Sequence, residues 1–163
     1  MSVPVIRSAG EGERRSFLGG GLHTWKLLTG DTEGAFFMFE DAMGRAKMTP
    51  WHLHPHADET LYVIEGEIIV NIDGTERRIG AGGMTFTPKG VPHAFMVLSE
   101  TARLLTMQSP GEGEAFYRGA SDPTEGVTSD VVDMARVQAS AKANARAIEI
   151  LGPPPFANVR LAS

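Results

Sequence analysis

Three of the five histidines fall in the run His52-Leu53-His54-Pro55-His56, and a fourth is His93. Successive side chains of a strand alternate faces, so His52 and His54 share one side. Two imidazoles spaced this way can converge on one cation at metal–nitrogen distances of about 2.1 Å. Read as a four-residue hairpin connection, Pro55-His56-Ala57-Asp58 sets Glu59 opposite His54, where a carboxylate oxygen can join the same ion. His93 opens a strand after Pro88-Lys89-Gly90-Val91-Pro92. In a closed barrel such a distant strand can lie beside the first. Three imidazoles and one carboxylate suit a divalent Fe, Mn, Ni, Co, Cu or Zn ion, and donor type alone does not choose among them. Four protein ligands on a six-coordinate metal leave two positions exchangeable, which is a catalytic arrangement more than a structural one. Glu59 is then both a metal ligand and the candidate catalytic base.

Strand parity extends the site. If His52 and His54 point inward, so do Met48 and Pro50; Leu61 and Val63 follow Glu59, and Phe95 and Val97 follow His93. Together they predict an apolar substrate pocket containing Met and Phe, or else a small barrel filled by its own side chains. Trp51 and Tyr62 have the opposite parity and are expected to pack outward. His56, past Pro55, reads as a solvated turn residue. His23 reads as an exposed or hydrogen-bonded edge histidine.

The elements that must position these groups are short strands. From Gly21 to Gln108, apolar runs such as Leu22–Leu28, Ala35–Phe39, Ala46–His54, Leu61–Ile64, Ile68–Ile72 and Arg103–Gln108 alternate with turn signals. The sharpest signal is Asp73-Gly74, a type I′ dipeptide between Ile68–Ile72 and Thr75–Ile79. Regular short strands predict an all-β sandwich or barrel, with its core at about residues 21–108. Residues 109–163 form a loop and helix extension. There Met134, Val137, Ala141, Ala145 and Ile148 have a three-to-four spacing, predicting one amphipathic helix over Asp130–Ala147 with Asp130 as N-cap. No chemistry is expected of it.

Composition narrows the function classes. The 163 residues fit a single domain, 1–163, and 42% hydrophobic with 21% charged residues is ordinary for a globular chain. Lys and Arg number 15 against 20 Asp and Glu, and no segment concentrates the basic residues, so no nucleic-acid partner is expected. The absence of cysteine excludes disulfides, thiolate metal sites and cysteine nucleophiles. No apolar run approaches a membrane span, and Met1–Arg7 lacks the features of a signal peptide, so no membrane contact and a cytoplasmic location are expected. Neither a phosphate-binding glycine loop nor a Gly-x-Ser-x-Gly elbow is present.

His52-x-His54-x4-Glu59-x6-Gly66 resembles the first motif of the cupin superfamily, and Gly82-x5-Pro88-x-Gly90-x2-His93 resembles its second. The two span Gly44 to Val97, in the right order, with every metal-ligand position filled. The family's first glycine falls at Ala46 here, and the asparagine that often closes the second motif is Val97. The resemblance implies a cupin-type jelly-roll β-barrel, a central metal and a homodimer. The nearest group is that of the single-domain, quercetin-dioxygenase-like cupins. Three functions follow as expectations: a dioxygenase acting on an aromatic or enolisable small molecule, a non-enzymatic small-molecule-binding cupin, or a metal-dependent isomerase, epimerase or cyclase.

Overall fold

The computed structural model describes residues 3–17, 19–124 and 131–161. Two antiparallel sheets face each other as a jelly roll. The larger contains β1 (Arg14–Phe17), β2 (Gly21–Leu27), β3 (Phe37–Gly44), β5 (Asp58–Glu65), β8 (Met84–Thr87), β10 (Thr101–Ser109) and β11 (Asp122–Pro123), in the order β11-β1-β2-β3-β10-β5-β8. The smaller is ordered β12-β4-β9-β6-β7, from β4 (Trp51–Leu53), β6 (Glu67–Ile72), β7 (Thr75–Gly80), β9 (His93–Val97) and β12 (Glu149–Gly152). The all-β reading of the sequence holds. Asp73-Gly74 makes its hairpin between β6 and β7, with both φ angles positive as a type I′ turn requires.

Alternation along the strands places the core. Glu59, Leu61 and Val63 of β5 are buried while Tyr62 is exposed. At one end of the barrel Leu61, Val63, Ile68, Val70, Phe95, Val97, Ala102 and Leu104 form a close-packed cluster. At the other, Phe17, Trp25, Phe37 and Phe39 pack under two helices. Trp51 packs outward, as its parity predicts, against Ile69, Ala94, Met96 and Leu98 beneath Phe156.

The C-terminal third departs from its expected form. A short helix, α1 (Glu114–Gly119), precedes the amphipathic one and buries Phe116 and Tyr117. The predicted Asp130–Ala147 helix is α2, confined to Met134–Ala143. Asp130 lies outside the described residues; the N-cap is Asp133, whose carboxylate accepts from the Arg136 N–H. Asn144 ends the helix, its amide donating back to the Ser140 carbonyl. Ala145 is exposed, and Ala147 and Ile148 are buried by the turns beyond rather than by helical periodicity. The chain then continues as β12 along β4, with Ile150 opposite His52.

Candidate metal centre

His52 and His93 are direct partners across β4 and β9. Glu59 comes from the opposite sheet, where Thr87 and Gln108 flank it on β8 and β10. The expected hairpin between His54 and Glu59 is not formed. Both edges of β4 are already paired, with β12 and β9, and Pro55 has no N–H to donate. Pro55–Asp58 instead carries the chain between sheets, so Glu59 meets His54 across the barrel. The outcome is the convergence the spacing predicts: one donor atom from each of His52, His54, Glu59 and His93 lies within 4.8 Å of all the others. All four side chains are buried, at 2–5% exposure.

Each imidazole is oriented by a backbone carbonyl. The Nδ1 of His52 donates to Pro50 O at 2.8 Å, that of His54 to Ala147 O at 2.8 Å, and that of His93 to Val91 O at 2.9 Å. These bonds fix the tautomer, leaving each Nε2 as a lone pair. Yet His54 Nε2 and His93 Nε2 sit 3.1 Å from Glu59 Oε2 and Oε1. Lone pairs facing a carboxylate at that distance require a cation between them, either a proton or a metal. Burial alone would raise the Glu59 carboxyl, but its two histidine partners hold it well below the usual carboxylate range. Burial would lower His93, yet Glu59 raises it above an ordinary histidine. His52 is pushed down to about 3 by burial and by the charges of His93 and His54, so it stays neutral and free to ligate. A divalent transition metal fits this donor set.

Gln108, fully buried, supports the centre. Its Nε2 donates to Glu59 Oε2 at 2.8 Å and to the Tyr117 hydroxyl at 3.0 Å, and lies 2.9 Å from His54 Nε2. Burial, with the charges of Glu59 and Asp41, raises Tyr117 well above an ordinary phenol, so it remains protonated. The C-terminal extension does take part in the site, because Ala147 O orients His54. No motif announces Gln108, Tyr117 or Ala147, since each reaches the centre only through tertiary packing.

A cavity opens beside the centre. His52, Glu59, Met48, Leu61 and Phe95 line it, together with Phe17, Phe39, Met43 and Tyr117. It encloses about 40 Å³ of free space, room for a few water molecules. Pro50 lines the adjoining recess next to His52. Val63 and Val97, both at 0% exposure, are packed into the barrel-end cluster and are not among the residues lining the cavity. His56 is exposed in its turn. His23 is neither exposed nor at an edge: β2 lies between β1 and β3, and the side chain is 2% exposed.

Residues 38–107 match the cupin domain family. With two facing antiparallel sheets and three histidines and a glutamate at their centre, residues 38–107 form a cupin domain within a jelly-roll fold. It is 28% identical over 125 residues to quercetin 2,3-dioxygenase of Bacillus subtilis, covering 77% of this chain and 37% of that protein. It is 38% identical over 98 residues to the polyketide synthase CurC of Streptomyces cyaneus, covering 56% of this chain and 60% of that one. The structure of the polyketide cyclase RemF from Streptomyces resistomycificus superposes with a TM-score of 0.53 at 26% identity, over 67% of this chain and 80% of that one. The chain thus spans less than two thirds of the length of these two curated relatives. Among the described residues, no helix is long and apolar enough to cross a membrane.

Proposed function

We propose that this cupin is a metal-dependent dioxygenase acting on a small hydroxylated aromatic or enolisable molecule. The observation that carries the reading is the set of three backbone-oriented imidazoles around Glu59, opening onto a cavity walled by Phe17, Phe39, Phe95 and Tyr117. The similarity to quercetin 2,3-dioxygenase supports it. His52, His54, Glu59 and His93 would hold the divalent metal, which supplies Lewis acidity toward a substrate hydroxyl. Glu59, deprotonated at neutral pH, accepts the proton of that hydroxyl at a carboxylate oxygen. Gln108 Nε2 keeps Glu59 Oε2 oriented, while Oε1, beside His93 Nε2, is the oxygen that would take the proton. The aromatic walls orient a flat ring and exclude water. Met43 and Met48, half-buried and unbranched, are the lining side chains best able to change rotamer for a ring larger than the free space.

An oxygen electrode tests the reading. Protein loaded in turn with Fe, Mn, Co or Ni is expected to consume O2 with at least one member of a flavonol and dihydroxyaromatic panel. No uptake with any metal overturns it. A second reading, a metal-dependent cyclase or isomerase, is favoured by the similarity to CurC and RemF. Turnover that is undiminished under argon selects that alternative, and tight binding of an unaltered ligand in air selects a non-enzymatic binding cupin.

A further inference from the structure

The wall contributed by β2, β3 and β10 carries a second group of polar side chains. His23 and Asp41 are direct partners in the β2–β3 ladder, and His23 Nε2 lies 2.6 Å from Asp41 Oδ1. The two are 2% and 6% exposed, and Thr106 on β10 is 3% exposed. All three line the same cavity as His52 and Glu59. The His23–Asp41 contact occupies His23 Nε2 and Asp41 Oδ1. Among the described residues, His23 Nδ1 and Thr106 Oγ1 have no hydrogen-bond partner. Their surroundings are aromatic: the His23 ring stacks on Phe39 at 4.3 Å and lies 4.5 Å from Phe17 and 5.7 Å from Tyr117.

Stability alone does not account for this group. A buried ion pair gains little over well-packed apolar side chains, and a phenyl ring would stack between Phe17 and Phe39 as well as an imidazole does. Buried polar atoms in folded proteins are almost always hydrogen-bonded. Two orphans on residues lining one cavity, His23 Nδ1 and Thr106 Oγ1, therefore mark a missing partner with donor and acceptor capacity.

We propose that His23, Asp41 and Thr106 form a recognition pole for a hydroxyl or carbonyl group at one end of a ligand whose other end, an enol or phenol, sits at the His52–His54–Glu59–His93 centre. The ligand class is a small, flat, oxygenated ring, polar at both ends and apolar along its faces. The proposal rests on the reading that this cavity is the substrate site, and is independent of whether O2 is used.

Two probes separate the pole from the centre. Kojic acid and allomaltol present the same hydroxy-ketone to a metal and differ by one distal hydroxyl. Zinc-loaded protein is titrated calorimetrically with each, and elemental analysis follows to show that zinc is retained. Wild type is expected to prefer kojic acid by about tenfold or more, the scale of leaving a built polar site unpaired. The double variant His23→Phe/Asp41→Leu, which avoids a lone buried carboxylate, is expected to keep its zinc and bind allomaltol within about twofold of wild type. Its preference for kojic acid should be gone. Thr106→Val, a smaller change, should weaken the preference by about threefold and guards against misfolding of the double variant. Equal binding of both probes by wild type, as expected if the pole holds only water, overturns the pole and leaves the metal-centred reading intact. Preference retained in the variants does the same. Failure of both probes to bind wild type overturns the substrate-site reading and the pole with it.

Discussion

At the scale of single residues, the Nδ1 bonds to Pro50, Ala147 and Val91 determine what His52, His54 and His93 can do. A histidine whose Nδ1–H is already donated presents Nε2 as a lone pair, and three such lone pairs around one carboxylate define a cation site. His52→Ala or His93→Ala is therefore expected to lower bound metal from about one ion per chain to under a tenth, with the circular dichroism spectrum retained. His56→Ala, at an exposed turn, should keep full metal content. Elemental analysis of the purified variants checks both, and full metal in all three variants would refute the ligand assignment. Backbone conformation gives a second residue-scale expectation. Ala46 stands where the cupin motif has glycine, and it adopts a φ of 66°. Gly66, at φ +83°, leaves no room for a side chain, since a Cβ would lie 2.3 Å from Thr101 O. Ala46→Gly should stabilise by about 0.5 kcal/mol, relief of strain exceeding the added unfolded-state entropy. Gly66→Ala should destabilise by about 3 kcal/mol or more, because strain and steric clash add. Urea unfolding of each variant measures both signs.

At the scale of elements, the extension beyond β10 is fastened to the barrel by charge as well as by packing. Arg118 on α1 bonds both oxygens of Glu13 at 2.8 and 2.9 Å and Glu114 at 2.6 Å, and its guanidinium lies 5.5 Å from the centre of the Trp25 ring. The hydrogen bond from Arg118 is the main cause holding the Glu13 carboxyl below 4.5; for Glu114, burial opposes and is outweighed by Arg118 and Thr29. Groups whose folded-state values are depressed stabilise the fold above their unfolded values, and that contribution is lost as pH falls through the depressed ones. Arg118→Met is thus expected to cost about 1 kcal/mol at pH 7, a figure already discounted for the half-exposed, solvent-screened network. The cost should shrink steadily as pH falls below 4.5, leaving only the stacking on Trp25. A penalty independent of pH, in denaturant titrations of both proteins, would mean that the ion pairs contribute nothing.

At the scale of the whole molecule, the centre joins the two sheets. His52, His54 and His93 belong to the smaller sheet side and Glu59 to the larger, so a shared ion is a cross-link that the unfolded chain cannot reproduce. Ligand binding confined to the folded state stabilises by about 2.7 kcal/mol at a metal concentration 100 times the dissociation constant. For a chain of this size that corresponds to a rise in Tm of about 5–11 °C. Adding excess chelator should return the value to that of the metal-free protein, and His93→Ala should show no rise at all. An unchanged Tm in wild type would place the ion elsewhere.

The strand pattern, the Asp73-Gly74 hairpin, the inward parity of Glu59, Leu61 and Phe95, and the four candidate ligands were legible because alternation along a strand is local. Two residues determine it between themselves, whatever the rest of the chain does. The route by which Glu59 reaches His54 was not legible, nor were the carbonyl of Ala147, the amide of Gln108 or the burial of His23 against Asp41. Those contacts join residues up to 93 positions apart, and they depend on which strands pair around the barrel and where α2 ends. The amino-acid order by itself therefore named the four groups that converge at the centre. The tertiary structure alone decided what orients them and what faces them across the cavity, because non-local pairing is settled by the packing of the whole chain and not by any segment of it.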